Sequence, residues 1–227
     1  MRFPLMALCL VASMAHAGEV GDIGARIAER CPAFSAWANA HEAKEPTRAK
    51  SAIEPSRPAL RDELARRAEA DQDARLAIMQ AKVQAGPLVD QAMKVDRENL
   101  AWLRPLVDRD GFPTVAEVGA GGVDDAWILV QHADTDHPFQ SRVLEQIRPR
   151  MATEEITGQE FALLTDRVLL AEGKKQRYGS QFVGAGDKPM TLRPVEDAAH
   201  LDERRAAVGL PPMAAYRCLR GAVYGKG

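Results

Sequence analysis

Two histidines and two aspartates fall within the stretch His132-Ala133-Asp134-Thr135-Asp136-His137, directly after the apolar run Trp127-Ile128-Leu129-Val130 and Gln131. Imidazole and carboxylate groups at this density are the materials of metal ligation and of acid–base chemistry. A second polar cluster lies downstream. Leu164-Thr165-Asp166-Arg167-Val168 places a carboxylate and a guanidinium beside apolar neighbours, and Gln176-Arg177-Tyr178-Gly179-Ser180-Gln181 follows it.

The first stretch differs by one position from the H-x-H-x-D-H signature of metallo-β-lactamase-like hydrolases, because Asp134 stands where a histidine belongs. That fold needs further histidine ligands downstream, and only His200 follows. A catalytic zinc wants three well-placed protein ligands, so neither a metal nor another cofactor is expected. A plainer reading gives Asp134 and Asp136 to an inter-helix turn. Asp136 or His137 then caps the helix beginning at Pro138, where a carboxylate also meets the positive helix end. This leaves Gln131 and His132 at the end of an apolar segment, where a buried imidazole needs hydrogen-bond partners. His132 is therefore either a satisfied structural histidine or a functional one.

Other chemistries lack their signatures. There is no G-x-S-x-G elbow. Gly119-Ala120-Gly121-Gly122 lacks the dinucleotide-binding spacing. The net charge of −2 and the absence of basic-aromatic interleaving speak against nucleic acid as a partner.

The elements that must position these residues are mostly helical. Leu60, Leu64, Ala68, Leu76, Met79 and Val83 recur at helical spacing after Pro58, and Gly86-Pro87 closes that run. A second helix is expected from Asp96, with Leu100 and Leu103 on one face and a kink or end at Pro105. Thr114 with Glu117 and Thr157 with Glu160 have the spacing of capping boxes. Asp124 to about His132 reads as an apolar helix, with a buried strand as the alternative, and Pro138 to Arg150 and the segment carrying Phe161, Leu164 and Val168 read as further helices. Gln176–Val183 and Met190–Val195 flank the glycine-rich turn GAGD and read as a β-hairpin. On such a strand Gln176, Tyr178 and Ser180 share one face, and Gln181 points the other way unless Gly179 forms a bulge. Asp197 is expected to cap a helix through Val208, and Pro211-Pro212 to open a last one. The fold class is mainly α, with one small β-hairpin near the C-terminal third (α+β).

The chain ends point to export. Arg2, the apolar run Phe3–Met14 and Ala15-His16-Ala17 follow the order of a signal peptide, residues 1–17. Met6-Ala7-Leu8 lacks the small residues a lipoprotein signal needs before Cys9. A soluble periplasmic or secreted protein, with no membrane anchor after cleavage, is the expectation. The mature cysteines Cys31 and Cys218 are expected to pair in an oxidising compartment. Closing so long a loop is worth about 4–5 kcal/mol in chain-entropy models, as an upper figure. Residues 18–57 read as an N-terminal helical extension and a Pro-rich linker, and residues 58–227 as the main domain.

Across these motifs the sequence resembles the bacterial family of uncharacterised proteins called domain of unknown function 6624. The matching text runs from Gly111-Phe112-Pro113 and Val118-Gly119 through Val130-Gln131-His132-Ala133-Asp134 and Phe139-Gln140. It continues with Leu164-Thr165-Asp166-Arg167, Gly173-Lys174-Lys175-Gln176, Tyr178-Gly179-Ser180-Gln181 and Arg204-Arg205 through Gly209-Leu210. Phe112 stands where the family usually has Trp, and Ser180 where it often has Thr. The resemblance implies a shared fold and a shared polar set: Gln131, His132, Asp166, Arg167, Gln176, Tyr178, Gln181 and Arg204. It implies no function.

Three uses of that set follow. It holds a small polar ligand or a protein partner in an envelope binding domain. Or it serves a hydrolase or transferase, with His132 as general acid or base, Asp166 orienting it, and Arg167, Gln176 and Tyr178 on the substrate. Or it is a buried network that fixes helix-to-hairpin packing.

Overall fold

The structure, a computed structural model, describes residues 24–41, 54–183 and 191–224, except positions 26, 82 and 84. The expected signal peptide, most of the linker and the GAGD turn lie outside the described residues. Helix α1 (Pro32–His41) precedes the linker. The main body follows with α2 (Pro58–Ala81), α3 (Pro87–Asp110), α4 (Val115–Gln131), α5 (His137–Ile147) and α6 (Gly158–Ala171). Two short strands, β1 (Phe182–Val183) and β2 (Thr191–Leu192), then α7 (Leu201–Ala207) and α8 (Met213–Tyr224) complete it. The fold is mainly helical with one small antiparallel hairpin, Phe182 opposite Leu192 and Val183 opposite Thr191.

Helix α2 begins at Pro58, whose missing N–H is no loss in a first turn. It buries Leu60, Leu64 and Ala68, and the same stripe then turns polar at the buried pair Asp71 and Gln72. This stripe packs on α3 and α4. Helix α3 starts at Pro87, nine residues before the expected Asp96. Its first turns carry exposed Leu88 and Met93, with Ala92 buried, so helical periodicity is weak there. Pro105 neither ends nor breaks α3, which runs on to Asp110. Pro105 and Ala101 both face outward, so the carbonyl that loses its donor meets water.

Both capping boxes form. Thr114 and Glu117 bond reciprocally at the start of α4, and Thr157 and Glu160 at the start of α6. Gly119, at φ 73, kinks α4 after its first turn. Asp136 caps α5 by accepting from the Phe139 N–H at 3.0 Å. Helix α5 tightens into a 3-10 turn at Arg148–Met151. The expected helix from Asp197 also differs. A 3-10 turn, Ala198–His200, leads into α7, and the Asp197 carboxylate bonds the His200 ring rather than the backbone.

The main core gathers Leu64, Leu103, Val118, Val123, Phe139, Ile147 and Leu164 between α2, α3, α4, α5 and α6. A second apolar cluster joins α1 to α8 through Ile27, Phe34, Ala38, Ala215 and Leu219. The Cys31–Cys218 disulfide, with a Cα–Cα distance of 5.7 Å, ties this pair together across a sequence separation of 187. No helix among the described residues is long and apolar enough to cross a membrane.

Candidate functional site

Packing of α2 on α4 brings the polar end of the α2 stripe to the C-terminus of α4. His132 is the residue that closes α4. Its Nδ1 lies 2.9 and 3.0 Å from the two carboxylate oxygens of Asp71. Gln72 Nε2 donates to Asp71 at 2.7 Å. Arg75, one turn on, lies 3.1 Å from Asp71 and reaches Asp96 of α3 at 2.9 and 3.1 Å. The histidine is thus held by a fully buried carboxylate that is itself held by an arginine.

The electrostatics of this chain of contacts are uneven. Burial opposes the charge on Asp71, but the His132 hydrogen bond and the charges of His132 and Arg75 outweigh it and keep the carboxyl below the usual range. Burial pushes Asp96 up to about 6, against the pull of Arg75. Burial also holds His132 below the ordinary imidazole value, against the pull of Asp71. A carboxylate beside a neutral ring fixes the tautomer. Nδ1 carries the proton toward Asp71, and Nε2 keeps its lone pair. Atoms of Asp71, Asp96 and His132 also lie within 4.8 Å of one another, which is metal-site spacing. The guanidinium of Arg75 contacts both carboxylates, so the cation of this cluster is already a side chain.

The other face of His132 borders a cavity of about 240 Å³. Gln131, Arg167 and Gln181 share its wall, with Ser180 and Arg205. Trp127, Ile128, Leu163, Phe182 and Tyr216 supply apolar surface. Phe34 and Trp37 of α1 and Leu219 and Val223 of α8 form a further side, so the disulfide-linked helices close one flank. The His132 side chain is 15% exposed, enough to meet a ligand and not enough to titrate as a surface group. Arg167 is fixed in this wall. It donates to both oxygens of Asp134 at 2.6 Å, and with the Gln131 amide turned so that its oxygen faces the guanidinium, that oxygen accepts from Nη2 at 3.2 Å and Nε at 3.1 Å. Gln140 of α5 steadies the same corner by donating to the carbonyls of Val130 and Gln131.

The rest of the polar set does something else. Asp166 is buried, and its carboxylate accepts three backbone N–H groups: Arg177 at 2.7 Å, Tyr178 at 2.9 Å and Ser180 at 2.8 Å. Gly179, at φ 67, lets the chain turn so that donors on both sides reach one carboxylate. Gln176 is buried as well. Its Nε2 donates to the carbonyls of Gln181 and Arg193, and its Oε1 accepts from the Gln181 N–H. Arg204 donates to the carbonyls of Arg177, Glu196 and Asp197. The Tyr178 ring stands edge-on to Phe161, centroids 6.4 Å apart. The expected strand over Gln176–Gln181 is therefore a loop pinned by side chains. Only Phe182–Val183 pairs with β2, and Gln176 makes a single parallel bridge to Val195.

These placements correct the expected catalytic grouping. Asp71, not Asp166, is the partner of His132, because Asp166 has both oxygens committed to backbone donors. Gln176, Tyr178 and Arg204 hold the loop and are not among the residues lining the His132 cavity. Gln131, His132, Arg167 and Gln181 do come together there. Asp71 went unread although it carried a signal: a charged residue continues the stripe Leu60, Leu64, Ala68 where an apolar one is expected. Arg205 was hidden inside the pair Arg204-Arg205, whose two members face different ways.

A chain of this architecture, helical with a carboxylate-pinned loop beside a histidine-lined cavity, has the polar set distributed along residues 131–204. It belongs to the family of unknown function DUF6624, which it matches over residues 58–227. No curated protein and no solved structure matches it.

Proposed function

We propose that this chain is an exported binding protein whose cavity beside His132 takes a small molecule. One observation carries the reading: four of the residues singled out for their chemistry, Gln131, His132, Arg167 and Gln181, meet in one wall of a concave, largely apolar space. Few convergent polar groups in an apolar pocket are the usual build of a small-molecule site. The leader pattern in residues 1–17 and the Cys31–Cys218 bond support export. A compound screen by thermal melting tests the binding. A ligand at a hundredfold excess over its Kd adds about 2.7 kcal/mol, or a rise of several degrees. The rise must vanish in Ile128→Trp, which fills the cavity. A rise that persists in that variant places binding elsewhere and contradicts the reading.

The Asp71–His132 pair favours a second reading, an acid–base enzyme. A neutral imidazole oriented by a buried carboxylate is equipped to take a proton from a water or hydroxyl at Nε2. Turnover lost in His132→Gln and reduced in Asp71→Asn supports this. Turnover unchanged in His132→Gln contradicts it.

A further inference from the structure

Arg205 is the least explained charge in the molecule. It is 1% exposed, and the carboxylates that bear on its charge, Asp202 and Asp166, act at a distance with no hydrogen bond to it. Nε donates to the Pro211 carbonyl and Nη1 to the Tyr178 carbonyl, both at 2.6 Å. The guanidinium lies 4.7 Å over the Tyr216 ring. Its Nη2 is buried and has no partner. Arginine does not escape this position by losing its proton. A buried cation with no anion in contact is costly, and native structures commonly answer such a group with a bonded counter-charge.

The missing partner has a place to sit. Arg205 lines the same cavity as His132. Arg167 and Arg220 line it too, and no Asp or Glu does. Arg167 is offset by its bonds to Asp134, so Arg205 meets this wall as a guanidinium with no carboxylate in hydrogen-bond contact, while Trp127, Ile128, Phe182 and Tyr216 give it apolar walls. Such a site suits a molecule with two ends. Its oxyanion meets the guanidinium in a charge-assisted hydrogen bond, and its body packs on rings.

Taking the cavity as the binding site, we infer that its ligand is a small amphiphilic oxyanion, a carboxylate or phosphate on an apolar body, anchored by the Arg205 guanidinium. Arg205 also links the Asp166 loop to the cavity, because its Nη1 holds the carbonyl of Tyr178 and the residue lines the cavity. The head group therefore meets a donor that the carboxylate-pinned loop keeps in place.

Intrinsic fluorescence reads the test, since Trp37 and Trp127 both line the cavity. The native chain is titrated with phenyl phosphate, benzoate and benzyl alcohol, three probes sharing a ring. At least one anion is expected to saturate about tenfold more tightly than the alcohol, the scale of one charge-assisted hydrogen bond. Which anion binds better separates a phosphate from a carboxylate head. Arg205→Lys keeps the charge and removes Nη2, and should weaken that anion about tenfold. If this variant fails to fold, Arg220→Gln serves instead and should weaken it several-fold. Equal binding of the alcohol and both anions, no saturable response to either anion, or an unchanged affinity in the folded arginine variant overturns the inference. Tight anion binding that survives Ile128→Trp instead overturns the choice of cavity, so the two failures are distinct.

Discussion

Asp71 and Asp166 are both fully buried carboxylates on helices of the main core, and they meet different partners. Asp166 accepts only from main-chain N–H groups, three of them from one loop. Asp71 bonds the side chains of His132 and Gln72 and pairs in charge with Arg75. The first arrangement shapes the chain: without the carboxylate the loop has no reason to adopt its path. The second shapes a side chain: Asp71 sets the orientation of the His132 ring. The rest of the polar set divides along the same line. Gln176 and Arg204 hold carbonyls and N–H groups, whereas Gln131, His132, Arg167 and Gln181 face a cavity. A buried polar residue reports its role through what it bonds rather than through its type.

The division is most open to attack at Asp166. Asp166→Ala orphans three N–H groups, two of them buried, those of Tyr178 and Ser180, and each buried one is worth about 1–3 kcal/mol. We expect a loss of about 2–5 kcal/mol in urea denaturation. A loss under 1 kcal/mol would erase the distinction between the two carboxylates. Gln176→Ala follows, with an expected loss of about 2–3 kcal/mol, since its amide satisfies two carbonyls and one N–H. A melt of this variant within a degree of the native chain would place Gln176 outside the clamp.

His132 sharpens the comparison through pH. Its folded value lies below that of the unfolded ring, because burial disfavours the imidazolium. The neutral ring's contribution is thus fully present above about pH 6.5 and is lost as pH falls through the lowered folded value. Asp71, Arg75 and Arg167 are the charges that bear on it. His132→Gln should therefore give a shallower loss of stability below pH 6.5, with a change of only about 1 kcal/mol at pH 8. A variant that parallels the native chain across the whole range would show that His132 does not titrate with folding. The smallest effect on stability belongs to Gln181→Ala, within about 0.5 kcal/mol, because the Gln181 side chain donates only to Ser180 Oγ at 3.1 Å. Its backbone groups, which Gln176 uses, remain. The same variant should weaken a cavity ligand, and equal affinity would remove Gln181 from the site.

Much of the fold was legible because its signals are local. Thr114 with Glu117 and Thr157 with Glu160 mark helix starts within four residues, and Leu60, Leu64 and Ala68 mark a buried stripe within three turns. The start of α3 at Pro87 was not legible, because exposed Leu88 and Met93 break the apolar pattern. The Gln176–Gln181 loop read as a strand because a strand and a side-chain-pinned loop share the same residue alternation. What separates them is Asp166, which lies ten residues before Gln176 and acts only after folding. The site was half legible for the same reason. Gln131, His132 and Arg167 stand beside apolar runs and draw notice. Asp71 reaches His132 across 61 positions, and Phe34 and Trp37 reach the cavity only through the packing of α1 on α8.

The account rests on His132 as a neutral ring, fixed through Nδ1 by Asp71 and bordering the cavity. Nitrogen-15 NMR of the histidine side chains at pH 7.5, in the native chain and in Asp71→Asn, tests this directly. The account predicts a proton on Nδ1 of His132 in the native chain, with a titration below the ordinary imidazole range. It also predicts a mixed tautomer once Asp71 is replaced. A proton resident on Nε2, or a His132 signal that Asp71→Asn leaves unchanged, would contradict it.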